Sequence, residues 1–216
     1  MYKALALKEL RENAWMAAAA LVAYAVLLVS LTGFDLWTMR WYPIQQIPFQ
    51  DWRFYIWSVV ISAVFAILLG IRQSWWESVR GTSVFILHRP IARGALFGTK
   101  LATGAAMFLA ATGLPLAFYA LWAARHGTHA SPFYWSMTAT SWLSWLAMTT
   151  VYAAAFLTGL RDARWIGSRL FPLVSVVLPL IIITETSWTI GLLIVVCADV
   201  LLVGAILWVG FDREYP

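Results

Sequence analysis

The sequence predicts an all-α polytopic membrane protein with six transmembrane helices. Three observations carry that reading. Hydrophobic residues make up 62% of the 216 and charged residues only 12%, whereas soluble domains run at about 45–50% apolar and roughly 25% charged. The mean hydropathy is +0.77. The apolar residues also fall into continuous stretches without period-two alternation, which favours helices over the shorter, alternating strands of a membrane barrel. Since each span takes about 20 apolar residues, six spans leave too little chain for a soluble catalytic domain.

The first stretch, residues 14–31, follows a basic start. It is longer than a signal-peptide core and lacks a small-residue cleavage site, so it is read as a retained span. Ahead of it, residues 1–13 mix Leu5, Ala6 and Leu10 with Lys3, Lys8, Glu9, Arg11 and Glu12, the pattern of a short N-terminal interfacial helix. The second stretch, 54–71, carries Ser58, Ser62, Ala66 and Gly70 at four-residue spacing. Such a ladder of small side chains admits close approach of another helix. Gly98, Ala102, Ala106 and Ala110 form a similar ladder into and along the third stretch, 101–124. Both predict tight packing, within one chain or between two.

The fourth stretch, 133–157, contains Thr138, Ser141, Ser144, Thr149 and Thr150, a mildly polar face that lines a route for an amphipathic substrate or simply packs with satisfied hydroxyls. The fifth, 168–184, holds Pro172 and Pro179, each of which removes a helical hydrogen bond and favours a bend. That suits a mobile gate or plain packing. The sixth, 189–209, contains Cys197 and Asp199. A single cysteine excludes an intramolecular disulfide and any multi-cysteine metal site.

Charge placement orients the spans. Of the 15 Lys and Arg residues, Lys3, Lys8, Arg11, Arg72, Arg80, Arg89, Arg93, Lys100, Arg161, Arg164, Arg169 and Arg213 fall on one side, and only Arg40, Arg53 and Arg125 on the other. By the positive-inside rule both termini are cytosolic. The net charge of +5 follows from this bias, with no basic stripe of the kind that binds nucleic acid. Short outer loops and the inside bias suit the plasma (inner) membrane of a bacterium. Trp37, Trp41, Tyr42, Trp52, Tyr55, Phe133, Tyr134, Trp135 and Trp188 flank the outer span ends, where amphipathic rings anchor at the headgroups.

Few residues offer chemistry. Asp199 is the acidic residue deep inside a span, which is costly unless it is paired or hydrated. It either lines a translocation path or hydrogen-bonds a Ser or Thr of a neighbouring span. His126 and His129 have H-x-x-H spacing, but two histidines without a third ligand do not make a metal site. Gly98-Thr99-Lys100 lacks the rest of a phosphate loop, and no hydrolase or metalloprotease motif occurs. The chain is therefore not expected to be an enzyme by itself, nor to bind a cofactor or metal.

The longest cytosolic connection, residues 72–100, reads RQSWWESVRGTSVFILHRPIARGALFGTK. A polar break, an apolar run at 84–87, Arg89-Pro90 and a second apolar run at 91–97 read as two short elements hinged at Pro90, lying on the membrane face. The order Glu77, Arg80-Gly81-Thr82, the run containing Phe85 and Leu87, Arg89-Pro90-Ile91-Ala92-Arg93 and then Gly98-Thr99-Lys100 resembles the permease subunits of the type-2 ABC exporter family. The resemblance covers about 25 residues at the expected place between spans two and three. The chain departs from the family at Ser83, and its outer turn near 185–188 is too short for the paired re-entrant helices of some members.

The resemblance implies a transmembrane subunit that pairs with a second permease chain, identical or a sister, and docks on two copies of a cytosolic ABC ATPase. ATP and Mg would then sit on the partner. Glu77, Arg80, Gly81, Thr82, Phe85, Leu87, Arg89, Pro90 and Arg93 would form the coupling element. Independently of any family, its arginines can pair with partner carboxylates and Phe85 and Leu87 can fill an apolar pocket, or the arginines merely meet the positive-inside rule and touch anionic lipid. Path candidates are Asp199, Thr138, Ser141, Ser144, Pro172 and Pro179. Alternatives are a stand-alone carrier or channel using Asp199 and a non-catalytic membrane assembly subunit.

Overall fold

The computed structural model describes residues 2–35, 38–41, 47–79, 93–129, 131–161 and 165–212. Its helices are α1 (Tyr2–Leu31), α2 (Trp52–Val79), α3 (Arg93–Ala123), α4 (Ala139–Leu160), α5 (Ile166–Glu185) and α6 (Trp188–Asp212). All six are long and apolar enough to cross a membrane. A 3₁₀ turn, Trp135–Thr138, leads into α4. Between α1 and α2, β1 (Phe34–Asp35) and β2 (Arg40–Trp41) pair antiparallel in the register Phe34 to Trp41.

The first three helices run past their apolar windows at one end. Residues 2–13 are not a separate interfacial helix: they continue into the first span as α1, which turns Glu9 and Asn13 inward. Residues 72–79 likewise extend α2, and 93–100 open α3, so the described ends of the 72–100 connection are helix rather than surface elements. Hydropathy stops at these polar residues. The helices continue because the polar side chains find partners in one another.

Side-chain contacts show that successive helices alternate in direction. Arg72 of α2 donates to the Glu12 carbonyl of α1 at 3.0 Å, and Arg169 of α5 to the Thr158 carbonyl of α4 at 3.4 Å. At the same end Gly210 of α6 abuts the Phe97 ring of α3. This is the basic end, where the Arg72 guanidinium lies over Trp15 and Trp76 and Arg169 over Trp75 at 5.1–5.4 Å. The opposite end is closed by an aromatic cluster in which Phe49, Phe54 and Tyr119 have centroids 4.6–5.0 Å apart. There Phe49 holds a left-handed φ of 64°, a backbone cost that its ring contacts offset. Gly33, at φ 83°, ends α1 in the conformation glycine adopts most readily.

The centre of the bundle is α4. Its apolar window is 78% buried, against 17% for those of α5 and α6. Small residues make this possible. A Cβ on Gly70 would come within 2.7 Å of the Phe156 nitrogen and the Tyr152 carbonyl oxygen, and one on Gly159 would collide with the Ser74 hydroxyl. The second-span ladder therefore packs inside the chain. Ser62 faces Tyr24 of α1, whose hydroxyl lies 2.6 Å from Ser62 Oγ and donates to the Ser58 carbonyl at 2.9 Å. The third-span ladder behaves otherwise: Ala102, Ala106 and Ala110 are exposed, and no atom lies within 4 Å of a Cβ at Gly98.

Proline is accommodated locally. Pro172 has no N–H for the carbonyl four residues earlier, that of Ser168. The Arg161 guanidinium donates to that same oxygen at 3.4 Å.

Candidate functional site

Two features stand out in a largely apolar bundle. The first lies at the basic end, on the helices entering and leaving the 80–92 connection. Glu9 of α1 pairs with Lys100 of α3 at 3.4 Å, with both side chains 3% exposed. Gln73 of α2 sits between them: its amide Nε2 donates to Glu9 Oε2 at 3.2 Å, and its backbone carbonyl accepts from Lys100 Nζ at 3.3 Å. Tyr152 of α4 closes the group by donating to Gln73 Oε1 at 2.7 Å. Four helices thus meet through one hydrogen-bonded ion pair. Asn13 stands one turn along α1, its amide donating to the Glu9 carbonyl at 2.8 Å and its buried Oδ1 without a partner.

A buried charge in this setting costs several kcal/mol unless it is paired and hydrogen-bonded, and both conditions are met here. Gly104 supplies the space. A Cβ there would overlap the Gln73 amide and the Tyr152 hydroxyl. Sequence reasoning missed this group because Glu9 reads as one polar face of a short amphipathic helix and Lys100 as one of many basic residues in a connection. The available signal was that Glu9 and Asn13 share a helix face while Gln73 stands two residues past the second apolar run and Lys100 directly before the third.

The second feature is a partly open cavity of about 310 Å³ near the other end, bounded by α2, α4, α5 and the start of α6. Its floor is Leu143, Ala147, Met148 and Ile183, all buried. Toward the outside it meets Tyr55, Thr140, Ser144, Thr184, Thr186 and Trp188. Among the described residues, no charged side chain lines it.

The predicted path residues are divided by the fold. Ser144 lines the cavity and donates to the Thr140 carbonyl at 2.5 Å. Ser141 turns away, toward a gap of about 10 Å³ shared with Tyr24, Ser58 and Ser62, at the lower limit for one water. Thr138 is buried and bonds the Trp135 carbonyl at 2.8 Å within its own turn. Pro179 precedes Leu180 of the cavity wall, whereas Pro172 lies about two turns away toward the basic end. Asp199 is not among the lining residues. Its Oδ2 accepts from Thr149 of α4 at 2.6 Å, and the Thr150 hydroxyl stands near enough to act on the same carboxylate, although neither it nor Oδ1 makes a hydrogen bond of full geometry. The inter-helix hydrogen bond is thus the arrangement observed for Asp199.

Of the predicted coupling residues, Glu77 belongs to α2 and Arg93 opens α3. Arg80, Gly81, Thr82, Phe85, Leu87, Arg89 and Pro90 lie outside the described residues. His129 Nδ1 lies 2.9 Å from the Thr128 hydroxyl, and no group of three or more metal-ligating side chains occurs among the described residues. No protein-family model matches the chain, and no curated protein matches it.

Proposed function

We propose that this chain is the transmembrane subunit of an ATP-driven exporter of the type-2 ABC class, with both termini in the bacterial cytosol. It would form the translocation path with a second permease chain and couple to two copies of a separate ATPase, which would bind ATP and Mg. The observation that carries the reading is the ordered motif from Glu77 through Arg80-Gly81-Thr82 and Arg89-Pro90-Ile91-Ala92-Arg93 to Gly98-Thr99-Lys100, between the second and third of six spans.

The polar group at the basic end supports it physically. A push on the 80–92 connection has two ways into the bundle, through α2 and α3, and Gln73 and Lys100 tie both helices to Glu9 and Tyr152. Displacement of one helix therefore moves the others or breaks a buried ion pair. That cost favours concerted motion between two packed states over independent bending.

Native mass spectrometry of the chain purified gently from its own membranes tests the reading. Two permease chains with two ATPase chains are expected. The Arg89→Glu, Arg93→Glu double variant should insert normally but lose the ATPase. Full partner retention and transport by that variant would remove the coupling assignment.

A stand-alone carrier is the second reading, favoured by the carboxylate of Asp199 inside the bundle, which faces hydroxyls and no cation among the described residues. It requires ATP-independent flux in proteoliposomes holding this chain alone, abolished by Asp199→Asn. Absence of that flux from the wild type excludes it.

A further inference from the structure

The cavity near the non-basic end has a floor of hydrocarbon and a mouth of neutral donors. Leu143, Ala147, Met148 and Ile183 form the floor. Among the described residues, the Tyr55 hydroxyl, the Thr140 hydroxyl and the Trp188 indole N–H make no intramolecular hydrogen bond, although all three residues line the cavity. The hydroxyls of Ser144 and Thr184 already donate to carbonyls of their own helices, at 2.5 and 2.7 Å, and have only acceptor capacity left.

This arrangement selects by charge, polarity and size. A charged headgroup would leave water for a site with no counter-ion among its described lining residues, at a cost of several kcal/mol. A headgroup with ester or hydroxyl oxygens would instead accept from Tyr55, Thr140 and Trp188. The volume of about 310 Å³ lies at the small end of ligand sites, which run from about 300 to 1,000 Å³. Taking about 30 Å³ per water-sized group, it holds roughly ten heavy atoms, enough for the hydrocarbon of one short acyl chain whose head stays at the open mouth, and too little for two chains. The lining of α4 from Thr140 to Met148 spans eight residues, about 12 Å of depth along the helix. One wall can also yield. Pro179, just before Leu180, leaves α5 one hydrogen bond short beside the cavity.

We propose that this cavity is a binding site for a neutral single-chain amphiphile, with its hydrocarbon chain on Leu143, Ala147, Met148 and Ile183 and its uncharged oxygen-bearing head at Tyr55, Thr140 and Trp188. The site belongs to one chain and does not depend on the exporter reading.

The test uses the full chain in nanodiscs and a photoactivatable diazirine analogue of monodecanoylglycerol, with labelled peptides mapped by mass spectrometry. Labelling should concentrate on residues 140–148 and 180–188. Unlabelled monodecanoylglycerol should compete it away, and decanoate and decyltrimethylammonium should do so at least about tenfold less well. Ala147→Phe, which fills the floor, should cut saturable labelling about tenfold. Leu180→Trp, on the more accessible wall, should do the same and serves if Ala147→Phe does not fold. Labelling that no competitor saturates, or that spreads equally over the exposed face of α6 at Val196 and Val200, would overturn the proposal. So would competition by a charged analogue equal to that of the neutral one.

Discussion

Glu9 and Lys100 are 91 positions apart in sequence yet lie 3.4 Å apart, each 3% exposed, with Gln73 hydrogen-bonded to both. Their pairing makes the polar starts of α1 and α3 part of the packed bundle. It also places a charge pair where α2 and α3 lead to the 80–92 connection.

Removing one partner is expected to be costly. Lys100→Met removes the Lys100 ammonium from the buried Glu9 carboxylate and should destabilise the chain by about 3–5 kcal/mol, while Glu9→Leu with Lys100→Met should recover most of that. Denaturant unfolding in mild detergent measures both. A single variant within about 1 kcal/mol of wild type would show that water reaches the pair.

Gly104 and Gly98 should behave oppositely despite sharing α3. Gly104→Ala drives a methyl into the Gln73 amide and the Tyr152 hydroxyl and should cost about 1–3 kcal/mol as overpacking. Gly98→Ala meets nothing within 4 Å and should be neutral or gain up to about 1 kcal/mol of helix propensity. Paired melting curves decide, and equal shifts would contradict the packing described for Gly104.

Tyr24→Phe keeps the ring and deletes the hydroxyl that joins α1 to the Ser58 carbonyl and Ser62 Oγ. A loss of about 1 kcal/mol is expected. Adding Ser62→Ala to Tyr24→Phe should cost little more, because the partner is already unsatisfied. A double-mutant cycle on melting temperature reads that coupling.

Asp199→Asn preserves a group that can bond Thr149, so the fold should lose less than about 1 kcal/mol. Thermal stability and transport measured on the same preparation separate two roles for Asp199. Retained stability with retained transport identifies an inter-helix contact, and retained stability with lost flux identifies a path residue.

Much of the architecture was readable because each span is a long apolar run. The turn between α5 and α6, reduced to Thr186 and Ser187, was legible as well. The small-residue ladders were legible as surfaces for close approach, but spacing alone does not choose a partner. On α2 Gly70 meets Tyr152, Ala155 and Phe156 of α4 while Ser58 and Ser62 meet Tyr24 of α1, whereas on α3 Ala102, Ala106 and Ala110 face outward. Asp199 was visible as an anomaly inside a span, while its partner Thr149 on α4 depended on how α4 and α6 rotate against each other.

The sequence by itself determined the six helices among the described residues that are apolar enough to cross a membrane, roughly where they lie, and how its basic residues divide between their ends. These are properties of single segments, set by transfer free energy and helix length. Only the tertiary structure decided that α4 occupies the centre, that Glu9, Gln73, Lys100 and Tyr152 form one polar group, and that a cavity opens between α2, α4, α5 and α6. Each of these depends on rotation and depth between helices. In lipid, apolar faces differ little in their preference for one neighbour over another, so that choice falls to small residues that permit contact and to buried polar atoms that require a partner.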